Sequence, residues 1–258
     1  MNHKEAAVII ENQILDSFKI KIKNFQIHPT RLIQASKSLI GLNLEIPNQK
    51  LLKFNLSIFD NKNYATFKSK KNIQKSLNEV INIHDLERVL RDGDKNEIFD
   101  IAMQLSAVSS ELHILEYFIE VSLKQSGKSF LLIWSLYKSI LFINKKNIDI
   151  FLEIVIEAIL LDDFEDINFT PNNFNIDIVL TKNLSLEFFD LYSHLIEAYN
   201  SDLVRSLKIK PLIIQFLSSK LNKMSLDEIV YKNKELKYNN LLLTGRIWLL
   251  DFLNKFNL

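Results

Sequence analysis

Apolar residues recur at intervals of three and four along most of this chain, which is the spacing of an amphipathic helix. Ile98, Ile101 and Leu105 show the interval clearly. Glycine and proline, the two residues that interrupt helices most strongly, occur only four times each in 258 residues. The pattern therefore predicts an all-α fold, either a compact multi-helix bundle or an irregular stack of helical pairs.

Helix-capping residues and glycines divide the pattern into separate helices. The segment 129–143 is apolar nearly all round, so we expect it at the centre of a bundle. It is shorter than the roughly 20 apolar residues that span a bilayer, and we expect no membrane span. The predicted helices cover about residues 4–18, 30–40, 81–90, 98–105, 110–125, 129–143, 147–161, 185–199, 202–208, 211–221 and 236–257.

Residues 51–67 are the one region where a strand competes with a helix. Leu52, Phe54 and Leu56 alternate with polar residues, which is a period of two. The polar segment 60–63 could form a turn between two short strands. The pattern allows one short β-hairpin here, packed against the helices.

Charge is distributed unevenly along the chain. Residues 1–75 hold 13 Lys/Arg and 5 Asp/Glu, a net charge of +8, whereas residues 76–258 carry −7. This division predicts a basic N-terminal helical segment (1–75), with the possible hairpin, and an acidic all-helical domain (76–258). The basic part either balances the acidic part or contacts an anionic partner.

Composition excludes several kinds of chemistry. The chain has no cysteine, which rules out disulfides, thiolate metal sites and cysteine nucleophiles and fits a cytoplasmic protein. Four glycines are too few for several phosphate-binding loops. The leading hypothesis is therefore a non-enzymatic helical scaffold or adaptor that binds another protein, with no cofactor expected.

Histidine followed three residues later by glutamate suggests an alternative function. Residues three or four apart share a helix face, so His113 can lie beside Glu116, and Asp190 beside His194. Mixed imidazole and carboxylate ligands from several helices suit iron or manganese, as in an oxidase or oxygenase built on a helical bundle. The candidate ligands are His113, Glu116, Glu120, Glu157, Asp190 and His194.

The same residues also form the polar stripes that any amphipathic helix needs. Charged side chains are nearly always exposed in folded proteins, so we expect these stripes to face water. The metal hypothesis requires the opposite arrangement, in which the stripes converge inside the bundle. Their burial and partners therefore distinguish the two interpretations.

A lysine-rich surface in the first 75 residues is the candidate contact for a partner. Lysines interleaved with aromatic residues can bind RNA or single-stranded DNA non-specifically, which is a second alternative function. A sequence pI of about 7.8 is low for a nucleic-acid-binding protein, so another protein is the favoured partner. The candidate residues are Lys19, Lys21, Lys23, Lys68, Lys70, Lys71 and Lys75.

Overall fold

The computed structural model describes residues 1–41, 43–59, 81–140, 142, 148–163 and 186–223. Within these residues the chain forms ten helices and no strand, which confirms the predicted all-α fold there. The helices are α1 (His3–Phe18), α2 (Pro29–Ile40), α3 (Gln49–Phe59), α4 (Ile83–Asp92), α5 (Lys95–Val108), α6 (Glu111–Lys124), α7 (Phe130–Ile140), α8 (Ile148–Leu160), α9 (Leu186–Asn200) and α10 (Ser206–Lys223).

Helix α7 lies at the centre of the packing, as its all-round apolar sequence predicted. It contacts α2, α6, α8 and α9. Trp134 is buried, with its ring stacked between those of Phe130 and Tyr137 at centroid distances of 6.3 and 5.2 Å. Among the described helices, none is long and apolar enough to cross a membrane.

The hairpin prediction is wrong for residues 51–59, which belong to helix α3. The inner face of α3 includes Asn55, which strand alternation placed on the polar side. Asn55 is buried because its Nδ2 donates to Gln13 Oε1 at 2.9 Å and its Oδ1 accepts from Ser36 Oγ at 2.7 Å. Leu56, by contrast, is exposed. The rest of the proposed hairpin, 60–67, lies outside the described residues.

Helix α10 also differs from its prediction. The sequence suggested two helices, 202–208 and 211–221, with Pro211 at the start of the second. The structure has one helix that begins at Ser206 and contains Pro211. Proline has no N–H to donate to the carbonyl of Leu207. Leu207 is exposed, so water can donate a hydrogen bond to this carbonyl instead.

The break between α6 and α7 is bonded to the end of α8. Ser129, which immediately precedes α7, donates its N–H to Asp162 Oδ2 at 2.9 Å, and the hydroxyls of Ser126 and Ser129 also donate to that buried carboxylate. Gly127 has φ +80°, and a Cβ there would lie 2.2 Å from the Phe216 ring. Asp162 therefore bonds the residue immediately before α7 from 33 residues along the chain.

Helices on both sides of residue 75 pack against each other. Helix α1 contacts α8, where the rings of Phe18 and Phe151 meet edge to face at 5.4 Å, and α2 contacts α7. The boundary itself lies outside the described residues, so the division into 1–75 and 76–258 stays a prediction.

Candidate functional site

The six candidate metal ligands lie in three different surroundings, each with a cationic side chain of the protein. His113, Glu116 and Glu120 on α6 surround Arg205, which lies just before α10. Asp190 and His194 on α9 lie with Arg31 of α2. Glu157 on α8 pairs with Lys95 of α5 at 3.1 Å. In the described part of the chain no three His, Asp or Glu residues form a group that could hold a metal ion.

The first of these surroundings is a set of polar side chains around one guanidinium group, here called the Arg205 cluster. Both oxygens of Glu120 accept from Arg205, one from Nε and the other from Nη2 at 2.9 Å. Nη1 donates to Nε2 of His113 at 3.1 Å, which leaves the imidazole proton on Nδ1, facing Ser109 Oγ at 3.1 Å. The cluster comprises His113, Glu116, Tyr117, Glu120 and Arg205.

Glu116 fixes the backbone at the corner between α9 and α10. Its two oxygens accept from the N–H groups of Val204 and Arg205, at 3.2 and 2.7 Å. A carboxylate at this position bonds backbone N–H groups that precede the first turn of α10 and complements the positive end of that helix. The Tyr137 hydroxyl of α7 donates to the same carboxylate at 3.1 Å.

The tyrosines around this cluster remain neutral at ordinary pH. Burial raises the pKa of Tyr117 above its usual range, with the negative charges of Glu87 and Glu120 adding to the shift. Burial and the charge of Glu116 raise the pKa of Tyr137 in the same direction. Because the phenols stay protonated and both carboxylates accept from fixed donors, these groups hold structure in place and are poorly suited to act as a general base.

Four exposed residues close to Arg205 in the chain form a surface that we call the α10 corner, which comprises Val204, Leu207, Lys208 and Pro211. Leu207 is 92% exposed, the highest value among the described large apolar residues, and Val204 is 74% exposed. Lys208 and Pro211 are exposed beside them. The corner therefore presents two exposed apolar side chains next to backbone groups that Glu116 bonds.

The second set of charged residues, the Arg31 cluster, lies in the interior and comprises Arg31, Asp190 and His194. Nη2 of Arg31 donates to both oxygens of Asp190, at 3.0 and 2.8 Å. Burial alone would raise the pKa of Asp190, but the charge of Arg31 and the hydrogen bond from His194 lower it to about 2. Nδ1 of His194 lies 2.8 Å from the Asp190 carbonyl oxygen. Asp190 is therefore an ionised carboxylate held between α2 and α9.

The expectation that the polar stripes face water is wrong for most of these residues. Glu116, Glu120, Asp190 and His194 are buried, and His113 and Glu157 are half-buried. The cations that neutralise the carboxylates on α6 and α9 are arginines, which the sequence reasoning missed. A signal was present: the chain has only 5 arginines against 27 lysines, and arginine is the residue suited to buried, bidentate carboxylate pairs.

The structure describes only three of the seven lysines proposed to contact a partner. Lys19 pairs with Asp16 at 2.8 Å, and Lys21 and Lys23 are exposed. Lys68, Lys70, Lys71 and Lys75 lie outside the described residues.

Comparison with known proteins identifies no relative of this chain. No protein-family model matches the chain, and no curated protein or solved structure matches it either.

Proposed function

We propose that this protein is a non-enzymatic helical scaffold that binds another protein through the α10 corner. The observation that carries the proposal is the exposure of Leu207 and Val204 on a backbone that buried groups hold in place. A single exposed leucine is ordinary, but two exposed apolar side chains three residues apart can contact a partner together.

The Arg205 cluster keeps this surface ready for binding. Glu116 bonds the N–H of Val204 directly, and Arg205, two residues before Leu207, is held by Glu120. A surface that is already ordered loses little conformational entropy when a partner docks. The buried network thus accounts for how two apolar side chains remain positioned in water.

Charge favours an acidic partner. Helix α10 contains four lysines and no Asp or Glu. Lys208 is exposed and follows Leu207 directly, and Lys210, two residues further, has its Nζ 5.3 Å from the Tyr199 ring centroid. Positive charge around an apolar centre fits a segment that presents apolar side chains flanked by Asp or Glu.

The test places a photo-crosslinking amino acid at position 207 of the full chain, expressed in its native cells. The matched control places it at Val8, a 58% exposed apolar residue on α1. We expect the crosslinker at position 207 to capture a protein that the crosslinker at position 8 does not capture. Mass spectrometry of the crosslinked peptide should locate the contact in an acidic segment of that protein.

A second variant tests the same contact without the crosslinker. In the chain without crosslinker, Leu207→Glu should abolish co-purification of the protein identified by crosslinking, whereas Val8→Glu, which adds the same charge at another exposed site, should leave it unchanged. Identical capture at both positions, or crosslinks only to a second copy of this chain, would contradict the proposal.

The basic N-terminal surface is the proposed second contact. Lys21 and Lys23 are exposed, and Ile27 nearby is an exposed apolar residue. A contact driven by these charges weakens as salt is added, because the Debye length falls to about 3 Å at 1 M. The Lys21→Glu/Lys23→Glu variant should bind the partner more weakly, and its affinity should depend less on salt. Affinities of both proteins measured at a series of salt concentrations test this.

A further inference from the structure

Lys37 on α2 is a half-buried amine with an unusual set of neighbours. Its Nζ donates to the backbone carbonyl of Lys138 at 3.2 Å and lies 4.4 Å from the centroid of the Phe142 ring. The amine thus meets a carbonyl dipole and an aromatic face, each of which stabilises an ammonium group far less than a carboxylate does.

The carboxylate nearest to this amine is occupied by other donors. Oε2 of Glu197 on α9 accepts from Lys138 Nζ at 2.7 Å and from Trp134 Nε1 at 2.9 Å. The charged groups that act on Lys37 are therefore Lys138 from α7, which repels its ammonium form, and Glu197 from α9, which attracts it. Two ammonium groups share one carboxylate here, and Lys37 is the more weakly stabilised of the two.

This arrangement makes the neutral amine accessible at ordinary pH. Burial lowers the pKa of Lys37 to about 8, and the charge of Lys138 contributes in the same direction. About a tenth of such amines are neutral at pH 7, against fewer than about one in a thousand for an unperturbed lysine. Only the neutral amine has a lone pair available for attack on an electrophile.

We propose that Lys37 is an acylation site, at which the ε-amine accepts an acyl group from a small activated acyl donor such as a thioester. The nitrogen lone pair attacks the thioester carbonyl carbon, so that a C–N bond forms and the C–S bond breaks. The sulfur leaves as a thiolate, and the proton lost by nitrogen passes to solvent. The product is an uncharged amide beside the Phe142 ring.

The experiment compares lysines within one folded chain. The full-length protein is treated at pH 7 with the neutral thioester S-acetyl-N-acetylcysteamine, and mass spectrometry of its peptides follows each lysine with time. The internal controls are Lys50 and Lys53, which are exposed on α3. We expect Lys37 to react about tenfold faster than either, because its larger neutral fraction outweighs the weaker nucleophilicity of a less basic amine.

The dependence of the rate on pH separates this chemistry from simple accessibility. The Lys37 rate should level off above about pH 8, whereas the rates of Lys50 and Lys53 should continue to rise. In 8 M urea the preference for Lys37 should disappear. Lys138→Met, which removes the second ammonium group, should slow Lys37 and leave Lys53 unchanged in chains shown by circular dichroism to be folded. A Lys37 rate equal to or below that of Lys53 in the folded protein would overturn the proposal.

Discussion

The Arg31 and Arg205 clusters use the same chemistry in two different surroundings. In each, an arginine holds a buried carboxylate in a two-point contact, and a histidine lies on the same helix as that carboxylate. The Arg31 side chain is 3% exposed and joins α2 to α9 in the interior. The Arg205 side chain is 11% exposed, and Arg205 lies between the exposed residues Val204 and Leu207 in the chain. Similar ion pairs thus join interior helices in one place and hold a surface in shape in the other.

Breaking the interior pair should have the largest effect. Arg31→Met leaves the Asp190 carboxylate buried without its cation, and we expect a loss of about 3–5 kcal/mol in the free energy of unfolding, measured by urea denaturation. The control is Arg31→Met/Asp190→Leu, which removes both charges and should recover most of the loss. A loss below about 1 kcal/mol for the single variant would mean that water reaches Asp190.

Low pH should destabilise the fold at α2, the helix that carries Arg31, through its N-cap residue His28. Its Nε2 donates to the Ile20 carbonyl oxygen at 3.0 Å, and its Nδ1 accepts from the Thr30 N–H at 3.3 Å. Burial lowers the pKa of His28 from 6.5 to about 4. Between these two pH values the unfolded chain binds more protons than the folded chain, so stability falls as the pH drops.

We expect His28 to account for a loss of about 3 kcal/mol between pH 7 and pH 4. Urea denaturation at a series of pH values measures it. His28→Asn keeps an N-cap residue that does not titrate, and its stability should depend less on pH over this range. Parallel pH profiles for the two proteins would contradict the role of His28.

Breaking the Arg205 pair should cost less than breaking the interior pair. In Arg205→Met the buried Glu120 carboxylate loses its partner, but the Arg205 side chain is 11% exposed, so water can enter the space that it leaves, and Glu116 still accepts from the backbone at Val204. We expect a loss of about 2 kcal/mol in the free energy of unfolding. A loss equal to that of Arg31→Met would show that the two clusters do not differ as their exposure suggests.

The smallest effect on stability is expected at the α10 corner itself. Leu207→Glu should change the free energy of unfolding by less than about 0.5 kcal/mol, because the side chain buries little surface in the folded chain. Thermal unfolding of this variant beside Val8→Glu measures the difference. A larger loss would show that Leu207 stabilises the fold, which would remove the main reason for assigning it to a partner.

The sequence predicts local structure well where each helix has its own signals. Gly93 follows the predicted helix 81–90, Ser110 begins the predicted helix 110–125, and both residues cap helices in the structure. The region of α3 was ambiguous because its buried face includes Asn55, and the two partners that satisfy this amide come from distant parts of the chain. A pattern of apolar and polar residues cannot show that a polar residue will find such partners.

The candidate sites show the same limit. Spacing correctly grouped His113 with Glu116 and Glu120, and Asp190 with His194, but it could not identify what each group contacts. The partners, Arg205 and Arg31, lie 85 and 159 residues from the carboxylates they pair with. Whether a polar stripe faces water, a metal or an arginine depends on which helix packs over it, and that is a property of the tertiary fold.

The hydrogen bond between Asp162 and Ser129 couples the start of α7 to the end of α8. The N–H of Ser129, which immediately precedes α7, gains its partner only when Asp162, 33 residues further along the chain and beyond α8, has been brought back to it. Closing a loop of that length costs conformational entropy before any contact offsets it. The amide protons of Ser129 and of the last turn of α8 should therefore exchange with solvent through one shared opening, with the same free energy of opening.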